Sequence, residues 1–178
     1  MSRHVALLGS VNVGGNGLKM AALKAALEEE GFVRVATVVA SGNVQFEHAR
    51  AGDAGLAAEI EAILRKRFGF ASFAAVRTRA EITRAIAGNP FAADGAAKYV
   101  HTLFLEHPVD PAAVANFAAG FDGPERIAGG GREVHIDYAS GVARSQVDPA
   151  LRRAKLFAGR ATARNIRSLA RILENMDR

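Results

Sequence analysis

The spacing of hydrophobic residues in the first half of the chain alternates between strand and helix patterns. Leu23 and Leu27 recur at helical spacing, whereas the β-branched stretch 33–39 and the apolar run 4–8 are typical of strands. The predicted elements, in order, are strand 4–8, a helix that ends at Gly31, strand 33–39, a turn at 41–43, strand 44–46, helix 54–68 and strand 73–77. This β-α-β-β-α-β order predicts a ferredoxin-like (split β-α-β) subdomain, with two helices on one face of an antiparallel sheet.

The second half repeats the pattern after a helix at about 79–88. Its predicted elements are strand 99–105, helix 110–120, strand 124–128, a glycine turn at 129–131, strand 133–138, helix 149–157 and helix 163–176. The Asn89-Pro90-Phe91 break divides the chain into predicted domains 1–90 and 91–178. The fold class predicted is therefore α+β, with two consecutive ferredoxin-like subdomains, antiparallel sheets and extra C-terminal helices.

Strand 133–138 carries the residues that come nearest to a catalytic set. His135 and Asp137 alternate with apolar positions and share a face that we predict to be exposed to solvent. Together with Ser145 they invite comparison with a Ser-His-Asp triad, but nothing in the sequence places Ser145 against the imidazole. We therefore interpret them as surface residues.

The positive charge is concentrated near the end of the sequence. The net charge is +5, yet the first 143 residues carry 14 basic and 15 acidic side chains, and residues 144–178 carry nine basic and three acidic ones. Such a region favours contact with an anion, a nucleotide or a nucleic acid. The alternative is a set of solvated helix faces in a chain that uses Arg more than Lys.

Several kinds of chemistry are excluded by composition. The chain has no Cys, which removes disulfides, thiolate metal sites and a cysteine nucleophile. The five His residues do not have the spacing of metal ligands, so no metal or cofactor is expected. No apolar run reaches the length of a membrane helix or of a secretory signal, and we expect a cytoplasmic protein with no membrane partner.

Two glycine- and asparagine-containing loops form the first candidate ligand site. Strands one and two of a ferredoxin-like sheet run parallel, so the loops that follow them emerge at the same end. Backbone N–H groups before a helix could bind an anion there, although the alternative is a tight turn without a ligand. The residues concerned are Asn12, Gly14, Gly15, Lys19, Ser41 and Asn43.

The start of the predicted final helix is the second candidate. We interpret Thr162 as its N-cap, which places Arg164 and Asn165 in the first turn. A cation there opposes the helix dipole unless an anion compensates, so the position predicts an anion site. The alternative is that Arg164 pairs with a neighbouring acid on a basic, exposed helix face.

Six ordered motifs resemble a bacterial family, the one catalogued as domain of unknown function 1697. They run through most of the chain and include the pair Arg144-Ser145. The resemblance implies a two-subdomain α+β fold and carries no activity with it. The motifs are Leu7-Leu8-x-x-x-Asn12-Val13-Gly14-Gly15, Ser41-Gly42-Asn43-Val44-x-Phe46, Val76-Arg77-Thr78, Asn89-Pro90-Phe91, Ser140-Gly141-Val142-x-Arg144-Ser145 and Thr162-x-Arg164-Asn165.

Three functional hypotheses follow. The first is a protein that binds an anionic ligand, a nucleotide or nucleic acid, through the basic C-terminal region and the two loops. The second is a small enzyme acting on a phosphorylated or carboxylated metabolite, with Ser145 or Asn43 near the chemistry and no general base identified. The third is a protein-interaction module that presents an exposed sheet to a partner not identified by the sequence.

Overall fold

The computed structural model describes residues 1–9, 11, 17–38, 42–50 and 54–177. These residues form two antiparallel sheets and six α-helices. The elements, in order, are β1 (Ser2–Leu8), α1 (Met20–Glu29), β2 (Val33–Thr37), β3 (Asn43–His48), α2 (Ala54–Phe68), β4 (Ala74–Thr78), α3 (Arg79–Ala87), β5 (Val100–Val109), α4 (Pro111–Gly120), β6 (Arg126–Asp137), a 3₁₀ turn (Val142–Arg144), α5 (Val147–Ala154), β7 (Ala161–Asn165) and α6 (Ile166–Met176).

The first sheet has the strand order β2-β3-β1-β4, with every neighbouring pair antiparallel. This is the ferredoxin-like order, and the predicted fold class is confirmed. Helices α1 and α2 cover one face, where Leu23, Leu27 and Ile60 are fully buried against Phe46 of β3. The helical spacing of apolar residues in the sequence thus produces one side of this core.

The opposite face of the first sheet is also buried, and α6 contacts it. The Gln45 side chain, which has no exposed surface, donates from Nε2 to the carbonyl oxygen of Ile172 at 2.7 Å. Arg3 donates from Nη1 to the carbonyl of Met176 at 3.2 Å. Arg3 thereby satisfies one of the last four carbonyls of the helix, which lack intrahelical donors, and Gln45 adds a hydrogen bond to a carbonyl one turn earlier.

The second sheet has the order β6-β5-β7 and is likewise antiparallel. Strand β6 doubles back on itself at the three glycines, and its two arms approach closely there. A Cβ placed on Gly129 would lie 2.6 Å from the carbonyl oxygen of Glu133. Its ends also meet: Arg126 Nη2 lies 2.7 Å from Asp137 Oδ2, whereas a straight strand would separate these residues by roughly 36 Å. The turn predicted at 129–131 is present, with the two predicted strands as arms of one element.

Helices α4 and α5 cover one face of the second sheet. Val114 of α4 and Leu151 of α5 pack in a cluster with Leu105 of β5 and Ile136 of β6. The first of these helices begins as the sequence predicts, because Asp110 accepts a hydrogen bond from Ala112 N at 2.9 Å and Pro occupies the first turn. The second spans 147–154, slightly earlier than the predicted 149–157.

The prediction of one helix over 163–176 is wrong at its beginning. Residues 161–165 form β7, which pairs with β5 in the register Phe104↔Thr162 and Thr102↔Arg164. Helix α6 begins only at Ile166. The Ala and Arg residues of this segment favour a helix. The backbone hydrogen bonds gained by pairing with β5 outweigh that preference.

The prediction that His135 and Asp137 face solvent is also wrong. Their side chains retain 5% and 8% of their exposure, so both faces of this part of β6 are buried. His135 Nδ1 and Thr102 Oγ1 share a hydrogen bond of 3.0 Å, and Asp137 accepts from Arg126. Alternating polar and apolar residues predict a strand with one exposed face. The prediction fails here because the polar face is also covered and its polar groups are hydrogen-bonded.

The chain divides into two compact units. Residues 1–83 and 170–178 form the first unit, and residues 84–169 form the second. The predicted domain boundary between residues 90 and 91 stays a prediction. Within the described residues, no helix is both long and apolar enough to cross a membrane.

Candidate functional site

The glycine-rich loop and hairpin predicted as an anion site lie largely outside the described residues. This applies to Asn12, Gly14, Gly15 and Ser41. At the described edges of these segments, Leu8 N donates to the carbonyl of Gly42 at 2.7 Å, and Val11 packs against the same glycine. Lys19 is exposed immediately before α1. The two segments are therefore adjacent at the residues that the structure describes.

The surroundings of Asn43 indicate a role in stabilising the fold. It is fully buried in β3, and its Nδ2 donates to the carbonyl oxygen of Val38 at 3.0 Å. The backbone N–H of Val38 in turn donates to the carbonyl of Asn43 at 3.0 Å. The residue closes the β2–β3 hairpin through both its side chain and its backbone.

Arg144 and Ser145 lie together in the second unit. They line a depression of about 160 Å³ beside Ser140 and Glu125. Ser145 Oγ accepts a hydrogen bond from Val147 N at 3.1 Å, which satisfies one of the free N–H groups at the start of α5. Arg144 is exposed.

Thr162, Arg164 and Asn165 are neighbours on β7 and the beginning of α6. Arg164 Nη1 donates to Thr162 Oγ1 at 2.8 Å and to the carbonyl oxygen of Ala163 at 2.7 Å. Burial lowers the pKa of Arg164 to about 10. Because Arg164 belongs to a strand, the predicted opposition between its charge and a helix dipole does not exist. The N-cap of α6 is Asn165, whose Oδ1 accepts from Ser168 N at 2.9 Å.

A pocket of about 330 Å³ in the second unit lies between β7, α5 and the loop that joins them. Its apolar lining includes Leu103, Leu151 and Phe157, and its polar lining includes Asp148 and Arg152. This volume falls near the lower limit of small-molecule sites, which combine apolar walls with a few polar groups. The complete lining is Leu103, Tyr138, Asp148, Leu151, Arg152, Phe157, Gly159, Ala161, Thr162 and Ala163.

The polar side of this pocket is built on α5. Asp148 accepts a hydrogen bond from the buried Tyr138 hydroxyl, O to Oδ1, at 2.9 Å. Burial, and then the charge of Asp148, raise the pKa of Tyr138, so the hydroxyl stays protonated. Arg152 follows one turn later at the C-terminal end of α5, where the helix dipole favours a cation. The lining of the pocket thus includes an acidic and a basic residue beside apolar ones.

Thr162 is the residue of this lining that the sequence predicts individually as a site residue, whereas Arg152 enters only as part of the basic region 144–178. Tyr138 directly follows β6, and Asp148 and Arg152 lie on α5, so the three residues meet only when the sheet and helix pack. The available signal was the i, i+4 spacing of Asp148 and Arg152, which places them on one side of a helix. Within the described residues, no group of three or more His, Asp or Glu side chains is arranged to hold a metal ion.

Comparisons with known proteins agree with the fold. The structure is similar to that of a conserved bacterial protein, SP0830 from Streptococcus pneumoniae, with a TM-score of 0.73 and 17% sequence identity over 100% of this chain and 99% of the other. No curated protein matches the sequence. The family model of DUF1697, described as a protein of unknown function, matches residues 1–135. The chain therefore belongs to the DUF1697 family of proteins of unknown function.

Proposed function

We propose that the second unit binds a small metabolite that carries an anionic group. The observation that carries this proposal is the presence of Arg152 in the lining of a pocket of about 330 Å³ whose other lining residues are largely apolar. A guanidinium binds carboxylates and phosphates through two parallel hydrogen bonds. An apolar wall that includes Phe157 suits the body of an organic ligand, a nucleobase among them.

Arg152 differs from two other arginines of this unit in its surroundings. Arg160 is paired with Glu106, and Arg126 is paired with Asp94 and Asp137. Among the residues that the structure describes, Arg152 forms no ion pair with an acidic side chain. A charged donor in the wall of a pocket, without a protein partner, supports binding of an external anion.

A small ligand agrees better with this geometry than a nucleic acid does. The C-terminal basic residues are divided among the 3₁₀ turn, α5, the following loop, β7 and α6, and Arg160 is neutralised by Glu106. Phosphate backbones need several cations along one track, whereas a single metabolite needs one or two. A small metabolite that carries a carboxylate or a phosphate is the ligand class we favour.

The test is a calorimetric titration of the protein with mononucleotides, sugar phosphates, amino acids and simple carboxylates. We expect at least one class to bind, and Arg152→Ala to weaken it about tenfold or more, because a charge-assisted hydrogen bond contributes about 1.5–3 kcal/mol. Arg153→Ala is the matched control, since Arg153 lies on the same helix but lines a different depression. Binding that is lost equally in both variants, or absent for every class, would overturn the proposal.

A further inference from the structure

Asp148 is a second charged residue in the wall of the same pocket, four residues before Arg152 on α5. Opposite charges at this spacing commonly pair on a helix. Among the described residues, however, no ion pair joins these two side chains, and both remain in the pocket wall. The pocket therefore offers two opposite charges, about one helical turn apart, to whatever occupies it.

Tyr138 holds the carboxylate of Asp148 in place. Its hydroxyl donates to Oδ1 at 2.9 Å, and the tyrosine retains only 3% of its exposure, so its own position is fixed by the core. Within the described residues, no hydrogen bond reaches the second oxygen, Oδ2. A carboxylate oriented by a buried donor, with one oxygen left over, is an acceptor for a ligand donor.

A ligand that is only an anion meets a penalty in this pocket. It would gain the guanidinium of Arg152 but would also approach the carboxylate of Asp148, and like charges at short distance repel. A ligand that carries both charges avoids the penalty and satisfies both groups. The apolar lining, with Leu103, Leu151 and Phe157, then remains for an uncharged body.

We propose that the ligand is a zwitterion, an amine and an acid group joined by a few bonds to an apolar body, with its ammonium on Asp148 and its anion on Arg152. Apolar α-amino acids, or short peptides with an apolar residue, are the chemical class that fits. This inference rests on the proposed function and adds the second charge of the ligand.

The experiment compares three probes with one body and different charges: L-phenylalanine, 3-phenylpropionate, which lacks the amine, and 2-phenylethylamine, which lacks the acid. Titration calorimetry on the full chain is expected to give the tightest binding for L-phenylalanine, with at least a tenfold larger Kd for each of the other two. L-Leucine tests whether an aliphatic body is accepted.

The variant Asp148→Asn keeps the shape of the side chain and removes its charge. We expect it to weaken L-phenylalanine binding about tenfold and to strengthen 3-phenylpropionate binding, because repulsion of the anion is relieved. Arg153→Ala should leave both affinities unchanged. Thermal unfolding of each variant distinguishes a change in affinity from a loss of folding.

The two proposals fail in different ways. If 3-phenylpropionate binds as tightly as L-phenylalanine and Arg152→Ala weakens it, the ligand is an anion, and the zwitterion is excluded while the proposed function stands. If nucleotides or sugar phosphates bind through Arg152 and none of the three probes does, the zwitterion is likewise excluded. If no compound shows Arg152-dependent binding, both proposals are wrong.

Discussion

Glu106 accepts three hydrogen bonds from Arg160. Its Oε2 receives the backbone N–H at 2.8 Å and Nε at 3.1 Å, and its Oε1 receives Nη2 at 2.8 Å. The pair joins β5 to the end of the loop that precedes β7, and this loop supplies Phe157 and Gly159 to the pocket. We therefore expect both the position of this loop and part of the response of the protein to acid to depend on one carboxylate.

Glu106→Gln should lower the free energy of unfolding by about 1 kcal/mol at pH 7, the upper range for an exposed ion pair. The hydrogen bonds from the Arg160 side chain lower the pKa of Glu106 from 4.5 to about 2. Its contribution to stability is therefore complete above pH 4.5 and disappears as the pH falls from 4.5 to about 2. Denaturant unfolding at several pH values should show that the difference in unfolding free energy between wild type and Glu106→Gln decreases over that range. Glu174→Gln, an exposed change on α6, is the control and should leave stability unchanged.

Gly159→Ala should destabilise the protein more than Gly69→Ala. Both glycines have a left-handed backbone, with φ of +81° and +74°, which costs a residue with a Cβ about 1–2 kcal/mol. A Cβ at Gly159 would also lie 2.7 Å from Glu106 Oε2, whereas a Cβ at Gly69 would have no non-neighbouring atom of the described residues within 4 Å. Thermal unfolding of the two variants separates the collision from the backbone strain. Equal losses would show that the loop yields without disturbing Glu106.

His135 should make the protein less stable in mild acid. Burial lowers its pKa from 6.5 to about 4, so the folded state holds it neutral where the unfolded chain would take up a proton. Its contribution is complete above pH 6.5 and is lost as the pH falls from 6.5 to about 4, an effect of roughly 2 kcal/mol between pH 7 and pH 5.

The measurement for His135 is the unfolding free energy at pH 7 and pH 5 in the wild type and in His135→Gln. The variant is less stable at pH 7, because the hydrogen bond to Thr102 is altered, but its loss between the two pH values should be smaller. His107→Gln is the control, because His107 is exposed. A variant at His135 that keeps the full wild-type pH dependence would contradict the prediction.

Asn165→Ala should lower stability by about 1 kcal/mol, the typical effect of removing an N-cap. Its Oδ1 accepts the N–H of Ser168 in the first turn of α6. Asn165→Asp keeps this acceptor and adds a charge that the helix N-terminus favours, so it should retain most of the stability. Denaturant unfolding distinguishes these outcomes, and similar losses for Ala and Asp would argue against a capping role.

The parts of the fold that sequence predicted well are those in which local pattern and packing agree. Leu23 and Leu27 repeat at helical spacing and are both fully buried, and the three glycines at 129–131 mark the place where β6 turns back. In each case the residue type needed locally is also the one that the packed structure needs.

The errors arise where distant residues decide. Thr162 resembles an N-cap, but pairing with Phe104 of β5 makes it part of a strand, and the cap falls three residues later at Asn165. The charged groups of the pocket were missed for a related reason. Tyr138 and Asp148 are ten residues apart, and no periodicity predicts that one hydroxyl will orient the other side chain.

The return of α6 to the first sheet has a consequence for synthesis on the ribosome. Gln45 and Arg3 bind carbonyls of Ile172 and Met176, which are translated after the whole of residues 84–169. At chain growth of about 5–20 residues per second, strands β1 and β3 wait several seconds for these partners. During that interval the nascent sheet lacks these contacts with α6, and the second unit can fold before the first is finished.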